Sequence, residues 1–211
     1  MEIQYSCPLC SHQADSFFED YFHCPNCDLR FLHPKRRLTA QAEKGRYDLH
    51  NNNFEDRAYR NFLLPLAEAV RSKIAPGAKG LDFGCGPAPV LAHILDEMGF
   101  ETKIYDPFFH PAKEALADVY DFICVSEVVE HFYDPRKELK NLHALLQPGG
   151  LLAVMTAIYS SKIDFSSWYY RKDPTHVVFY SQATFSWIAQ HLNFSTPTFC
   201  GDRIALLLKG R

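Results

Sequence analysis

Leu81-Asp82-Phe83-Gly84-Cys85-Gly86-Pro87-Ala88-Pro89-Val90 decides how the rest of the chain is read. A short apolar lead-in ends at Asp82, two glycines follow at alternate positions, and an apolar run from Val90 to Met98 suits a helix. The pattern is strand, tight turn, helix. Gly84 and Gly86 open dihedrals closed to other residues and leave the backbone bare for a ligand. The following helix start presents unpaired N–H groups to a polar or anionic ligand. Such a turn at the carboxyl end of a first parallel strand is the nucleotide crevice of an open α/β sheet. Ala88, at the third position of the G-x-G-x-G pattern, is small enough to leave room.

The whole chain fits that reading. Its 211 residues suit one well-buried domain plus a small module. An apolar content of 47% and a charged content of 22% are those of an ordinary globular protein. A formal net charge of -3 gives no global reason to expect nucleic acid or an anionic membrane. No basic region followed by an apolar core opens the chain, so no signal peptide is expected. The apolar region from Ala144 to Tyr159 is broken by Gln147-Pro148-Gly149-Gly150, so no membrane span is expected either. Seven cysteines without an export signal point to a reducing compartment, the cytoplasm, where metal binding outweighs disulfides.

Four of those cysteines form two knuckles, Cys7-Pro8-Leu9-Cys10 and Cys24-Pro25-Asn26-Cys27, with thirteen residues between them. This spacing places four thiolates around one tetrahedral Zn²⁺. Phe17, Phe18, Tyr21 and Phe22 between the knuckles suit a short hairpin. A module of this size has too little core to fold alone, so the metal is expected to supply much of its stability. Lys35-Arg36-Arg37 is a basic cluster, but residues 1–37 also hold Glu2, Asp15, Glu19, Asp20 and Asp28, and four thiolates on Zn²⁺ add negative charge. Phosphate binding wants the opposite balance, which favours a structural or substrate-covering role.

Residues 38–75 read as mostly helical, with Phe54, Arg57, Ala58, Phe62, Leu66, Ala69 and Val70 at spacings of three and four. Asn51-Asn52-Asn53 marks a break, and Pro65 is expected to kink or divide the helix. Residues 134–147 read as a second amphipathic helix, capped by Asp134-Pro135 and ended by Pro148-Gly149-Gly150. Leu151 to Thr156 is a buried strand, Ser181 to Leu192 a final helix, and the segments flanking Gly201-Asp202 a hairpin.

The stretch Leu81 to Val90 resembles the first motif of the class I S-adenosylmethionine (SAM)-dependent methyltransferases. Two further stretches extend the resemblance over roughly residues 60–211: Asp121 to His131 matches the fourth strand and its turn, and Leu145 to Val154 the fifth. The resemblance implies a Rossmann-like sheet closed by an antiparallel hairpin of sixth and seventh strands. It implies a domain over residues 76–211 behind a zinc ribbon (1–37) and a helical lid (38–75). Cofactor contacts are implied at Asp82, Gly84, Cys85, Gly86, Ala88, Pro107, Phe108, Ser126 and Glu127, with Asp106 holding the ribose hydroxyls. The lid position makes Tyr47, His50 and Tyr59 pocket candidates. The chain departs from the family after Asp106. Only fourteen residues separate it from Asp121, too few for the usual helix, third strand and adenine loop, so that strand is expected to be missing or vestigial. Phe108 or Phe109 then either packs on the adenine face or covers the exposed sheet edge.

Glu127 and Glu130 or His131 lie three and four residues apart, which on a helix puts them on one face. The E-x-x-E-H pattern resembles the metal site of small-RNA 2′-O-methyltransferases and of some ubiquinone-pathway O-methyltransferases. In the former a further histidine arrives after the fifth strand, and this chain offers His176. Glu127, Glu130, His131 and His176 are therefore candidates for a divalent metal, or His131 or His176 for a general base. The aromatic-rich connection from Ala157 to Ser181 is the expected acceptor pocket. The resulting expectation is SAM-dependent O-methylation of a small-molecule metabolite. Two alternatives stay open: an RNA methyltransferase guided by the ribbon, as in some rRNA guanine methyltransferases with a similar module, and a non-catalytic SAM-binding regulatory protein. Some sugar C-methyltransferases also carry an N-terminal zinc module of this kind.

Overall fold

A computed structural model describes residues 5–48 and 53–211. His50 and the break expected at Asn51 and Asn52 lie outside the described residues. The chain begins with strands β1 (Tyr5–Ser6), β2 (Gln13–Phe18), β3 (Tyr21–His23) and β4 (Arg30–Leu32). Helices α1 (Ala40–Tyr47) and α2 (Arg57–Arg71) follow. Next come β5 (Lys79–Phe83), α3 (Val90–Glu97), β6 (Glu101–Tyr105), β7 (Tyr120–Ser126), α4 (Pro135–Ala144) and β8 (Leu146–Met155). The chain ends with β9 (Val178–Phe179), α5 (Gln182–His191), β10 (Thr198–Cys200) and β11 (Ile204–Leu208).

A six-stranded sheet in the order β10-β11-β8-β7-β5-β6 carries the site. Strands β6, β5, β7 and β8 are parallel, and β11 and β10 run antiparallel beyond β8. Parallel strands buried on both faces read as continuous apolar runs. Accordingly Phe122 and Cys124 of β7 pack with α2 and α3, while Ile123 and Val125 pack with α4 and α5. Residues 107–119 contain a 3₁₀ turn (Lys113–Leu116) and no strand, so β6 is the sheet edge.

Several local readings change. Pro65 does not divide α2, which runs unbroken from an Asp56 cap whose carboxylate accepts from the N–H groups of Ala58 and Tyr59. The helix expected over 134–147 stops at Ala144, because Leu145 already closes it and Leu146 starts β8 against Tyr120. Pro148-Gly149-Gly150 therefore lies inside an irregular strand and does not terminate the helix; Gly149, at φ +81°, takes the backbone through the irregularity.

The N-terminal strands do not form a separate layer. They make a second sheet, β1-β2-β3-β4-β9, whose last strand comes from the connection between β8 and α5. Its apolar residues join the core on the α4–α5 face of the large sheet. Phe165 is the hub, in edge contact with Phe17, Tyr21 and Phe179. The Arg30 guanidinium stacks 3.9 Å above the Tyr159 ring.

Candidate active site

The glycine turn leaves β5 at Gly84, at φ +79°, whose N–H donates to the Tyr105 carbonyl at 2.7 Å. A Cβ on Gly84 would lie 2.4 Å from a Val128 methyl, so only glycine lets the turn sit against the loop beyond β7. At Gly86, φ is +68° and a Cβ would meet nothing within 4 Å, so the backbone lies bare on a cavity wall. Asp106 ends β6 and folds the next residues around itself. One carboxylate oxygen accepts from the N–H of Phe108 (2.8 Å) and Phe109 (3.0 Å), the other from Gly86 (3.1 Å). Paired N–H···O=C bonds between Asp106 and His110 close this loop.

The cavity measures about 620 Å³, within the range that holds a cofactor-sized organic ligand. The glycine turn and the 106–109 loop form one side. Ser126, Glu127 and Val128 form the floor, and Glu43 and Tyr47 of α1 with Tyr59 of α2 form the lid side. His131, Tyr133, Thr175 and His176 complete the far wall.

Beyond β7 the chain does not enter a helix at once. Glu127 takes a left-handed φ of +52°, and only Val129–His131 form a 3₁₀ turn. The two glutamates consequently do not share a helix face, although they stay near enough that burial and the Glu130 charge push the Glu127 carboxyl up to about 8. The Glu127 carboxylate accepts from Arg203 at 2.9 Å across the β10–β11 turn. The Glu130 side chain is fully buried, accepting from the Thr156 hydroxyl at 3.0 Å and from the Tyr170 phenol. Burial raises the Glu130 carboxyl, with His176, Tyr170 and Thr156 pulling the other way.

The two histidines flank that carboxylate. His131 Nδ1 lies 3.0 Å from the Thr175 carbonyl, and His176 Nδ1 lies 2.7 Å from the Tyr170 carbonyl. A carbonyl only accepts, so both imidazoles carry a proton on Nδ1, which leaves Nε2 as the position that can take up a further proton. The rings sit 4.8 Å apart. Burial lowers His176, against the pull of Glu130, which keeps it neutral near pH 7. The result is a pair of imidazoles, each with a proton on Nδ1, on the wall of the cavity that the glycine turn also lines.

The family model described as "Methyltransferase domain" matches residues 51–196. The chain belongs to this methyltransferase family. It is an S-adenosylmethionine-dependent methyltransferase, as the glycine turn and the strand matches implied. It is 37% identical over 75 residues to the ubiquinone biosynthesis O-methyltransferase of Ruegeria pomeroyi, a match spanning 34% of this chain and 29% of that protein. Two solved methyltransferases share the fold, each at a TM-score of 0.55. The first is the 1,6-didemethyltoxoflavin-N1-methyltransferase of Burkholderia thailandensis, holding its substrate and S-adenosylhomocysteine. It is 12% identical, covering 92% of this chain and all of that one. The second is CalO1, a methyltransferase of calicheamicin biosynthesis with S-adenosylhomocysteine bound. It is 14% identical, covering 72% of this chain and 54% of that one.

In this methyltransferase the cavity gathers most of the residues that the resemblance named: Gly84, Cys85, Gly86, Asp106, Pro107, Phe108, Ser126, Glu127, His131 and His176. Tyr47, Tyr59 and Phe109 join them. Asp82, Ala88 and Glu130 do not line it. Asp82 is buried behind the turn, where its carboxylate accepts from the Ala92 N–H at 3.2 Å and burial pushes it up to about 7. Ala88 packs into the core under α2 and α3. Sequence reasoning did not single out Tyr170, Thr156 or Arg203 as partners of the two glutamates. Arg203, beside the Gly201-Asp202 turn, was the one nearby signal, a cation at the carboxyl end of the sheet.

The cysteine knuckles also converge. Cys7, Cys10, Cys24 and Cys27 present sulfurs that all lie within 4.8 Å of one another, with pairs at 3.5 and 3.4 Å. Tetrahedral Zn–S bonds of about 2.3 Å put sulfurs about 3.8 Å apart, so the donor set fits that ion. Each knuckle turns through a left-handed residue just after its second cysteine, Ser11 at φ +65° and Asp28 at φ +58°. The N–H of each donates back to the carbonyl of the knuckle's first cysteine. No helix among the described residues is long and apolar enough to cross a membrane.

Proposed function

We propose that this methyltransferase O-methylates a small, neutral, aromatic acceptor, with His176 or His131 taking the hydroxyl proton. The observation that carries the reading is the pair of Nδ1-protonated imidazoles on the wall of the cavity that the bare glycine turn also lines. SAM supplies an electrophilic methyl group, and the protein supplies alignment, water exclusion and a base. Gly84, Cys85, Gly86, Asp106, Pro107, Phe108, Ser126 and Glu127 are the residues proposed to hold it. His176 would take the acceptor's hydroxyl proton at Nε2 as the methyl passes from the sulfonium sulfur, left as a neutral thioether, to the acceptor oxygen, a contribution worth about 10²–10⁴-fold. Aromatic rings from Tyr47, Phe108, Phe132 and Tyr133 suit a flat acceptor, and among the described residues no Lys or Arg lines the cavity to recruit an anion. The ubiquinone-pathway relative bears an O-methyltransferase name, which agrees with oxygen as the target.

The four-cysteine cluster is read as a structural zinc site over residues 1–37, with 38–75 as lid and 76–211 as catalytic domain. A four-thiolate metal site suits a reducing compartment such as the cytoplasm. Ribbon aromatics Phe17, Phe18 and Tyr21 pack on Phe165 or Arg171, which counts against the ribbon as an RNA-reading surface. A second reading of the chemistry has its own observation. Ligand atoms of Glu130, His131 and His176 all lie within 4.8 Å of one another. Those three, without Glu127, are the set that would hold a divalent metal, and such an ion would acidify the acceptor hydroxyl.

The test is transfer of labelled methyl from SAM to a panel of phenols, catechols and aromatic acids, with chelator or added divalent metal. Label on neutral phenols that is insensitive to chelators of divalent cations supports the base. Chelator-sensitive label that returns with metal, while the cysteine-bound zinc is retained, supports the metal. Label confined to carboxylated acceptors contradicts the proposed acceptor class.

A further inference from the structure

The connection from β8 to α5 runs over residues 156–181, far longer than ordinary loops, and it carries His176. What fixes its last part is the cysteine module. β9 follows His176 after one residue, and β4 is its partner strand, with Arg30 opposite Phe179 and Phe31 opposite Val178. The Leu32 N–H donates to the Val177 carbonyl at 2.8 Å, and the Val177 N–H donates to the Glu130 carbonyl at 2.8 Å. Val177 is thus pinned between the ribbon and the turn that bears His131. At the other end of β9, the Ser181 hydroxyl donates to the Asp28 carboxylate at 2.5 Å. Asp28 directly follows the last metal-ligating cysteine, its N–H bonded to the Cys24 carbonyl at 2.8 Å.

We propose that the four-cysteine site positions His176, acting through Asp28 on Ser181 and through the pairing of β4 with β9. The ribbon's own strands run from two to six residues, too short to hold a fold without a metal. Without zinc, β4 loses its order and β9 loses its partner strand. His176 then leaves its place beside Glu130, while the glycine turn, on the far side of β7 from β8, is untouched. Asp28 and Ser181 are positioning residues in this scheme. The proposal rests on the reading of His176 as the group facing the acceptor, and its first test does not need an acceptor.

That test is amide hydrogen exchange on the full chain, zinc-loaded and after zinc removal by chelator. The expected result is faster exchange at Val177–Phe179, on the order of 100-fold, as a segment without its partner opens locally. Amides of β5, β7 and β8 keep their protection. Unchanged exchange at 177–179, or equal loss across β5, β7 and β8, overturns the proposal; the latter makes the metal a global stabiliser only. The second test is Asp28→Gly, which tolerates the left-handed backbone but removes the carboxylate, against Asp28→Asn, which keeps an acceptor oxygen. With one zinc retained and SAM affinity unchanged, Asp28→Gly, which removes the carboxylate's contacts to Ser181, His23 and Arg30, is expected to lower kcat about tenfold without raising KM, and Asp28→Asn to restore most of it. Wild-type kcat in Asp28→Gly overturns the role of Asp28. Absence of methyl transfer in the wild type, with the exchange result as expected, would remove the catalytic reading and leave the brace.

Discussion

The two walls of the cavity are built in opposite ways. The glycine-turn wall comes from contiguous chain: β5, the turn, α3, and Asp106 twenty residues past Gly86. The histidine wall is assembled from segments far apart in sequence. His131 leans on Thr175, His176 on Tyr170, and both flank a glutamate held by Thr156 and Tyr170. The ribbon, more than a hundred residues upstream, braces the same segment. Local sequence suffices for the first wall, because strand, turn and helix are set by residue order and glycine dihedrals. The second depends on pairings that no local pattern encodes.

This contrast has breakable consequences. The largest expected effect lies on the first wall. Gly84→Ala must adopt φ +79° and push a Cβ into Val128, a combined cost of about 2–5 kcal/mol. SAM affinity measured by calorimetry should fall about 30-fold or more, the equivalent of about 2 kcal/mol. Unchanged affinity would show that the turn is not packed as described.

The next lies on the second wall and is a pH effect. Burial lowers His176 from its ordinary 6.5, and the base must be neutral to accept a proton. Protonation as pH falls therefore removes activity, so kcat/KM should fall about tenfold per unit below a midpoint under 6.5 and level off on the alkaline side of that midpoint. An acid limb centred above 6.5 would contradict the assignment. SAM affinity should not follow that limb, which separates the two walls.

A smaller effect is expected beneath the histidines. Tyr170→Phe removes a phenol donor from the buried Glu130 carboxylate, which should cost about 1–3 kcal/mol of stability in a urea titration. No change in the midpoint would mean that the network is not closed as described. The smallest is Gly86→Ala. Its Cβ meets open space, so only the positive φ opposes it, and SAM affinity should fall about tenfold for a strain of about 1–2 kcal/mol. A loss as large as that of Gly84→Ala would show a cofactor closer to the turn than the cavity implies.

Reading the sequence reached the architecture wherever neighbouring residues decide it. The α3 helix, the α5 helix and the terminal hairpin turning at Gly201 follow from apolar spacing and glycines. The cysteine cluster follows from spacing alone. The site was legible as a set of names but not as a geometry. Helical spacing placed Glu127 with Glu130, but the left-handed backbone at Glu127 turns one toward Arg203 and leaves the other buried beside His176. The pairing of β4 with β9 links residues more than 140 positions apart, so the ribbon reads as a separate module in sequence, while in space it pairs with the segment just after His176.

The most direct measurement is on His176→Ala, with SAM affinity by calorimetry and single-turnover transfer of labelled methyl to an accepted phenol followed on the same preparation. The expected result is an affinity within twofold of wild type and a transfer rate reduced by about 10²–10⁴. Equal loss of both would contradict the division of the cavity into two separately built walls, and wild-type transfer would contradict the role of His176.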